Sequence, residues 1–538
     1  MTEAVHPSSG KEQGRRTGRL ENGFQPSLLV AMLEPSFYPG ALSEVTHRET
    51  HISHLFFAGE QVYKVKKPVR FSFLDYSTLA KRRNFLQEEL RINARLAPSV
   101  YLGVLPISYE NGGWRLGSYA HPVEYALLMR RLPERRMLDF LLDRDQVTPE
   151  MMQSLAAILA KFHAQAKTGG KINSSGEIET IRKLWDENLA DIAPFVGRLL
   201  DADALSAVQD FGERFLARHE DLFVERVRAG RIREVHGDLH CEHICFAPEG
   251  IQIFDAIEFS REIRCCDVAS EIAFLLMDME LRGGDELARD FLKSYLELAD
   301  DPELPRLLPF YKCHRALVRG KVIGLRSDGD PAVASRYFQL ARRYTWEESK
   351  PFVVMMCGLT GSGKSTLAAE LGRRLGLPVL SSDAIRKGLA GTVEQKLGAP
   401  YGEGIYSPAM TARTYAAMAE RLEAHFAMGE GAILDATFHR WFRREIIFEL
   451  AQKHGVPVVL IHCQSRDEVI RERLKKRAEE GRDLSDGRWE IYVKQKAVFD
   501  PLVEVPRGNC LVLDTAAPLE ALVPEVEGFL SAVLKGRP

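Results

Sequence analysis

The stretch GLTGSGKST at residues 358–366 restricts the fold of its surroundings more than any other in the chain. It satisfies the pattern G-x-x-x-x-G-K-[ST], follows the apolar run PFVVMMC and precedes the helical text STLAAELGRRL. Glycines let successive backbone N–H groups close around phosphates, and the start of a helix adds a favourable dipole. That mechanism needs a strand, a tight loop and a helix in this order, and the order is present. ATP is the expected ligand, with Gly358, Gly361, Ser362, Gly363 and Thr366 forming its cradle. Lys364 is expected to reach the β- and γ-phosphates, and Ser365 to ligate Mg²⁺.

Four further apolar runs, LPVLSSD, GAILDAT, VPVVLIHC and CLVLDT, alternate with helical text. Short apolar strands separated by helices imply a parallel sheet covered on both faces. Residues 350–538 therefore read as a doubly wound α/β P-loop domain with a five-stranded parallel sheet. Ligands of such sheets bind beyond the carboxyl ends of the strands. Asp383 in SSDAIRK stands there, placed to accept the proton of an attacking hydroxyl, and an N-cap role for the helix AIRKGL is compatible with that task. Arg386 can hold an anionic group, and Asp435 in GAILDATFHR suits the Mg²⁺ shell. Arg473 and Arg477 share one face, at i, i+4, of the helical text 465–486. They are expected to close over the transferring phosphoryl group, with a solvated helix face as the competing reading.

The first half carries a different signature, HGDLHCEHI at 236–244. Asp238 is placed as the group that orients or deprotonates a hydroxyl acceptor, and Asp255 in IQIFDAIEF as the metal chelator on the strand that follows. His243 stands five positions after Asp238, where a metal-binding Asn is usual. Upstream, Lys64 in QVYKVKK is the candidate phosphate anchor, and Glu89 in the helical text 79–96 its partner. Lys66 shares the strand face of Lys64, and Glu88 competes with Glu89, so both assignments stay open. HISHLFFAGE and QVYKVKK predict a hairpin turning at Ala58-Gly59-Glu60, YALLMRRL (125–132) predicts a strand, and 150–230 is mostly helical. A β-rich segment followed by helices and a catalytic hairpin is the α+β, bilobal layout of the protein-kinase-like fold. It is assigned to 28–345, with a break near TWEESKPF (345–352).

Composition narrows the partners. The 538 residues are 45% hydrophobic and 27% charged, enough for two to four folded domains. A net charge of −3 provides no general basic surface for nucleic acid. No apolar run approaches the 18 or more residues of a membrane span, so no membrane partner is expected. Residues 1–27 read as a polar, disordered leader without the apolar stretch of a signal peptide. The eight scattered cysteines argue against a disulfide framework, and the cytoplasm is the expected location. Cys241, His243, Cys245, Cys265 and Cys266 lack a usual zinc-ligand spacing, and buried thiols are the simpler reading.

These motifs carry two resemblances. Through GLTGSGKST, LSSDAIRK, ILDATFHR and the arginine segment, residues 350–538 resemble the small P-loop kinases of the zeta-toxin, gluconate-kinase and polynucleotide-kinase group. In that group the Asp of the S-D-x-I-R stretch acts as base toward a substrate hydroxyl, which corresponds here to Asp383. Through THRETHISHLFFAGEQVYKVKKPVRFSFLDYSTLAKR, EELRINARLAP, HGDLH, FDAIEF and DVASEIAFLLMDME, the chain resembles a bacterial fusion of an aminoglycoside-phosphotransferase-like domain with such a P-loop kinase. The resemblance covers nearly the whole chain after the leader. It implies a bifunctional ATP-dependent kinase with two nucleotide sites acting on hydroxyls of small molecules, and makes Asp267 a cap for the helix VASEIAFLL.

Two features depart from the kinase pattern: no G-x-G-x-x-G precedes the lysine strand, and His243 replaces the Asn. Imidazole suits softer cations than Mg²⁺, so Mn²⁺ is the alternative metal in the first domain. Two further readings stay open. The first domain is a nucleotide- or ligand-binding regulatory module, or the second phosphorylates polynucleotide ends.

Overall fold

The computed structural model describes residues 26–40, 43–71, 74–326, 329–390, 406–480 and 488–534. By packing, the chain divides into two compact units. One comprises the described residues up to Glu177 together with Glu225–Asp301; the other comprises Ile178–Val224 with the described residues from Pro302 onward. No helix among the described residues is long and apolar enough to cross a membrane.

The first unit is built on β1 (Val45–Glu49), β2 (Ser53–Ala58), β3 (Gln61–Lys66), β4 (Tyr101–Glu110), β5 (Gly113–Leu116) and β6 (Pro122–Arg130). They form one antiparallel sheet in the order β1-β2-β3-β6-β4-β5. β2 and β3 make the expected hairpin, pairing Ala58 with Gln61 across Gly59-Glu60. Strand alternation gives the sheet two apolar faces. Phe56, Tyr63, Val65 and Ala126 pack with Leu28 and Met32 of helix Pro26–Leu33. Val62, Leu127 and Met129 pack with Leu86 of helix Leu79–Asn93. Pro26 and Ser27, read as the end of the leader, already belong to a helix, while residues 1–25 lie outside the described residues.

The helix expected over 79–96 starts on its Thr78 cap, whose side chain accepts from the Lys81 N–H, and stops at Asn93. The N–H groups of Arg95 and Leu96 bond three residues back, to Ile92 and Asn93, tightening the chain ahead of Pro98. Beyond the sheet come β7 (Ile232–Glu234), the hairpin β8 (Ile244–Ala247) and β9 (Gly250–Ile253), and β10 (Cys265–Asp267), which pairs with β7. Helix Val268–Leu281 follows, buried over most of its length. Asp267 caps it by accepting from the Ala269 N–H at 2.8 Å, and the buried Arg226 guanidinium grips the same carboxylate.

In the second unit the five apolar runs are β11 (Val353–Cys357), β12 (Val379–Ser381), β13 (Ala432–Asp435), β14 (Val458–Gln464) and β15 (Cys510–Asp514). All pair in parallel, in the order β12-β13-β11-β14-β15. Val354, Met356, Ile433 and Ile461 face one core with Leu367 and Leu371, while Val353, Met355, Leu434 and Leu460 face another with Met418 and Leu422. The chain leaves β11 toward one edge and later returns beside it toward the other, so the loop after β11 opens at the switch point of the sheet. The packing division does not fall at the 345–352 break. Helix Pro331–Tyr344 is tied to helix Leu519–Leu534 by the buried ion pair Arg342–Glu527.

Candidate active sites

The site of the first unit begins with the two lysines of β3, which alternation places on one face. Lys64 Nζ lies 2.7 Å from Glu89 Oε1 and 2.9 Å from Asp255 Oδ1. Lys66 Nζ lies 2.8 Å from Glu89 Oε2 and 2.5 Å from Glu258 Oε1, which also accepts from the Tyr76 hydroxyl at 2.6 Å. Glu89 is thus shared by both lysines, whereas Glu88 pairs outward with Arg91 and Arg264. Only Lys64 reaches Asp255, and only Lys66 is fully enclosed. Burial disfavours the Lys64 ammonium, but the carboxylates of Asp255 and Glu89 outweigh it and hold its pKa well above the usual lysine value.

Asp255 follows β9 at φ +64°, a left-handed conformation that costs energy in a non-glycine residue. The turn is held from outside. The Asp255 N–H donates to Tyr101 Oη at 3.0 Å, and the Ala256 N–H donates to Asn93 Oδ1 at 2.8 Å. The Asp255 carboxyl stays below the ordinary range: burial opposes ionisation, but Lys64 and His243 outweigh it.

His243 bridges the two acids. Its Nδ1 donates to the Asp238 carbonyl oxygen at 2.9 Å, and its Nε2 stands 3.6 Å from Asp255 Oδ2. Because Nδ1 carries the proton, Nε2 carries the lone pair. Burial, aided by neighbouring His240, lowers the His243 pKa to about 4, so the ring is neutral at neutral pH. The donor set near Asp255 is therefore one carboxylate and one imidazole nitrogen. It fits a divalent cation, with less preference for Mg²⁺ than an all-oxygen set. Among the described residues, the only group of three or more side chains placed to share one metal is Asp238, His240 and His243; the buried Cys241, Cys245 and Cys265 are not part of it.

What holds the HGDLH loop was not read from the sequence. Glu271, buried on helix Val268–Leu281, accepts from the His236 and Gly237 N–H groups, both at 2.9 Å, and its Oε1 lies 3.1 Å from His163 Nε2. Two turns further along, buried Asp278 accepts from the Cys241 N–H at 3.0 Å. Two acids seven residues apart in the otherwise apolar text ASEIAFLLMDM were the available signal, since i, i+7 returns to the same helix face. Glu271→Ala leaves several buried donors unsatisfied and is expected to lower stability by about 3 kcal/mol, measured by chemical denaturation. Glu271→Gln, which keeps an acceptor, is expected to lose less.

In the second unit, β11 ends on the phosphate loop. Gly363 precedes helix Lys364–Leu375 at φ +80°, and a Cβ at Gly358 would stand 2.4 Å from the Cys463 carbonyl oxygen, so neither position accepts a side chain. Register sets Asp435 beside Met356 on one flank and Ser381 on the other, so three strand ends converge. Lys364, Ser365, Asp383, Arg386 and Asp435 line one cavity of about 620 Å³. Ser365 and the buried Asp435 offer oxygen donors only, a set that fits Mg²⁺. Lys364 Nζ donates to the Leu359 carbonyl at 2.9 Å. Asp383 sits inside the first turn of helix Ser382–Ala390 rather than at its cap, and accepts from Arg386 at 2.5 Å.

Arg473 is placed elsewhere. It donates to the Thr515 carbonyl at 2.5 Å and, with Gly361, Gly363 and Thr366, lines a second cavity of about 300 Å³. Thr515 in turn donates to the Ser362 carbonyl at 2.8 Å. Arg473 thus adjoins the phosphate loop but does not line the Asp383 cavity; Arg477 is on helix Asp467–Glu480, with its side chain outside the described residues. Residues not foreseen complete the larger cavity: His439, Arg440, Arg443 and Lys494. The run HRWFRR after β13 was the signal for the first three of these.

Both halves match known family models: residues 47–310 match the phosphotransferase enzyme family, and 353–502 match an AAA domain. An uncharacterized protein of Mycobacterium tuberculosis (strain ATCC 25618 / H37Rv) is 29% identical over 437 residues, 80% of this chain and 86% of that one. The chain is also similar to a gluconokinase from Sinorhizobium meliloti 1021, at 19% identity over 34% of this chain and 94% of that one, with TM-score 0.26. It is similar to a choline/ethanolamine kinase family protein from Mesorhizobium loti, at 13% identity over 59% of this chain and 94% of that one, with TM-score 0.39. The chain is an ATP-dependent kinase that joins a domain of the phosphotransferase enzyme family to a P-loop kinase-like AAA domain.

Proposed function

We propose that the chain is bifunctional, each unit binding its own ATP with a divalent cation and phosphorylating a hydroxyl of its own small-molecule acceptor. The observation that carries this reading is the intact Glu89–Lys64–Asp255 chain of contacts in the first unit, alongside a complete phosphate loop in the second. A largely apolar cavity of about 410 Å³, lined by Leu55, Phe57, Val62, Met129, Leu132 and Phe254, supports a nucleotide in the first unit. Val62 precedes Lys64 by two on β3, and Phe254 precedes Asp255, so a flat base seated there extends its phosphates toward the lysine.

In each site the acceptor oxygen bonds to the γ-phosphorus as the bond from that phosphorus to the β–γ bridging oxygen breaks. The acceptor's proton passes to Asp238 in the first unit and to Asp383 in the second. Lys64 and Lys364 hold the phosphate charge; Asp255 with His243 in the first unit, and Ser365 with Asp435 in the second, would hold a divalent cation, which when bound would supply charge neutralisation for the departing ADP.

For the second unit, the lining favours an anionic acceptor. Arg443 is stacked on Tyr415 at 4.4 Å, and no carboxylate among the described residues pairs with it. Arg443→Ala is expected to raise the acceptor KM about 10- to 100-fold, the cost of one charge-assisted contact, with the ATP KM unchanged. Steady-state kinetics in the two substrates separately checks this. The same lining suits an oligonucleotide end, so the acceptor panel for γ-labelled ATP includes RNA as well as metabolites. His243 favours one second reading, a first unit that binds nucleotide without turnover. Two ATP equivalents bound, with a labelled product from only one site, would establish that reading and overturn the first.

A further inference from the structure

We infer that Asp238, His240 and His243 form a nitrogen-rich site for a divalent transition metal, one that fills without nucleotide. One candidate ligand atom from each lies within 4.8 Å of those from the other two. His240 Nε2 is 3.6 Å from Asp238 Oδ2, and His243, whose Nδ1 proton is committed to the Asp238 carbonyl, offers Nε2 as its ligand atom. The 3.6 Å separation is too long for a hydrogen bond. It matches the spacing of two atoms bound to one cation at about 2.1 Å each. The His240 and His243 rings lie with centroids 3.9 Å apart, and His240 is buried.

The site is also braced as metal sites are. The His243 Nδ1–H is held by the Asp238 carbonyl, which fixes the ring and its tautomer, and the N–H of Cys241, next to His240, is held by Asp278. Asp255 Oδ2 stands 3.6 Å from His243 Nε2, so a further carboxylate is within the same neighbourhood. Two imidazoles and a carboxylate suit Zn²⁺, Co²⁺ or Mn²⁺ and discriminate against Mg²⁺.

One consequence rests on the kinase reading. A metal on Asp238 occupies the carboxylate that would take the acceptor's proton, so Zn²⁺ is expected to suppress transfer in the first unit and leave the second unit active. Metal binding itself does not depend on that reading.

The test uses the full chain, stripped with chelator and titrated with Co²⁺ alone, without ATP. Visible d–d absorption and calorimetry report the binding. The wild type is expected to take up one tight equivalent, with no thiolate-to-cobalt charge-transfer band. His243→Asn and Asp238→Asn preserve shape while changing donors, and each is expected to weaken binding at least about 30-fold. His240→Gln is expected to do the same, with circular dichroism confirming that each variant is folded. Tight binding unchanged in folded His243→Asn and Asp238→Asn overturns the site, as does a thiolate band, which would assign the metal to cysteine. Absence of a first-unit labelled product from the metal-free wild type, with Co²⁺ binding intact, counts against the kinase reading only.

Discussion

A chain carrying Lys364→Ala is expected to lose one of two labelled products by about 10²- to 10³-fold and to keep the other at the wild-type rate. Removing a fixed cation from a developing phosphate charge costs about that much in kcat. The present Lys364 contact, a single bond to the Leu359 carbonyl, does not lock the ammonium into a structural network, so the loss is expected to be chemical rather than structural. Asp238→Ala is expected to give the mirror result, about 10²- to 10⁴-fold on the other product, the range for a positioned general base. Its side chain is partly exposed, so the fold tolerates the change. Thin-layer separation of γ-labelled products from the two variants reads both at once. If Lys364→Ala abolishes both products, the phosphate loop serves all transfer and the first unit is a regulatory module. If neither variant separates the products, the two-site reading fails.

The fold was legible where a backbone requirement and an apolar period coincided. The phosphate loop needs glycine at positions such as Gly363, and the five apolar runs have no stable use outside a sheet covered on both faces. The hairpin carrying Lys64 was equally plain, because its alternation and turn agreed. What escaped was the support around each site. Glu271 and Asp278 act through backbone N–H groups of a loop more than thirty residues away, and nothing in their own text says which loop they face. Arg443 lines the larger cavity because β13 places its helix there, a fact of topology rather than of motif. Arg473 meets the phosphate loop on the side of Thr515, a placement that its spacing along a helix did not specify, because a helix face does not reveal which side of the loop it meets.

The choice between Lys64 and Lys66, undecidable from strand period, separates into two kinds of loss. Lys66 is fully buried between Glu89 and Glu258, with its ammonium 4.7 Å from the centre of the Tyr76 ring. Lys66→Met removes the cation that two enclosed carboxylates need, and breaking a buried pair in this way costs about 3–5 kcal/mol. Lys64 borders the open side of the site through Asp255, whose side chain is 43% exposed. Lys64→Met is therefore expected to cost less stability, because Glu89 keeps Lys66, and to abolish transfer in the first unit.

Acidity distinguishes the two further. Burial disfavours the Glu258 carboxylate, but Lys66 and then Lys64 outweigh it and hold its pKa below the ordinary range. In the wild type that pairing stabilises the fold above the unfolded carboxyl pKa of about 4.3, and the contribution fades as pH falls through the lower folded value. In Lys66→Met the enclosed Glu258 carboxylate loses the cation that most favours its charge, so burial dominates, its penalty grows as pH rises, and protonation in acid relieves it. The stability gap between wild type and Lys66→Met is therefore expected to narrow as pH falls from 7 toward 4. Denaturant unfolding across that range reads the difference. A gap independent of pH would mean that Lys66 contributes by packing its methylenes rather than by its charge.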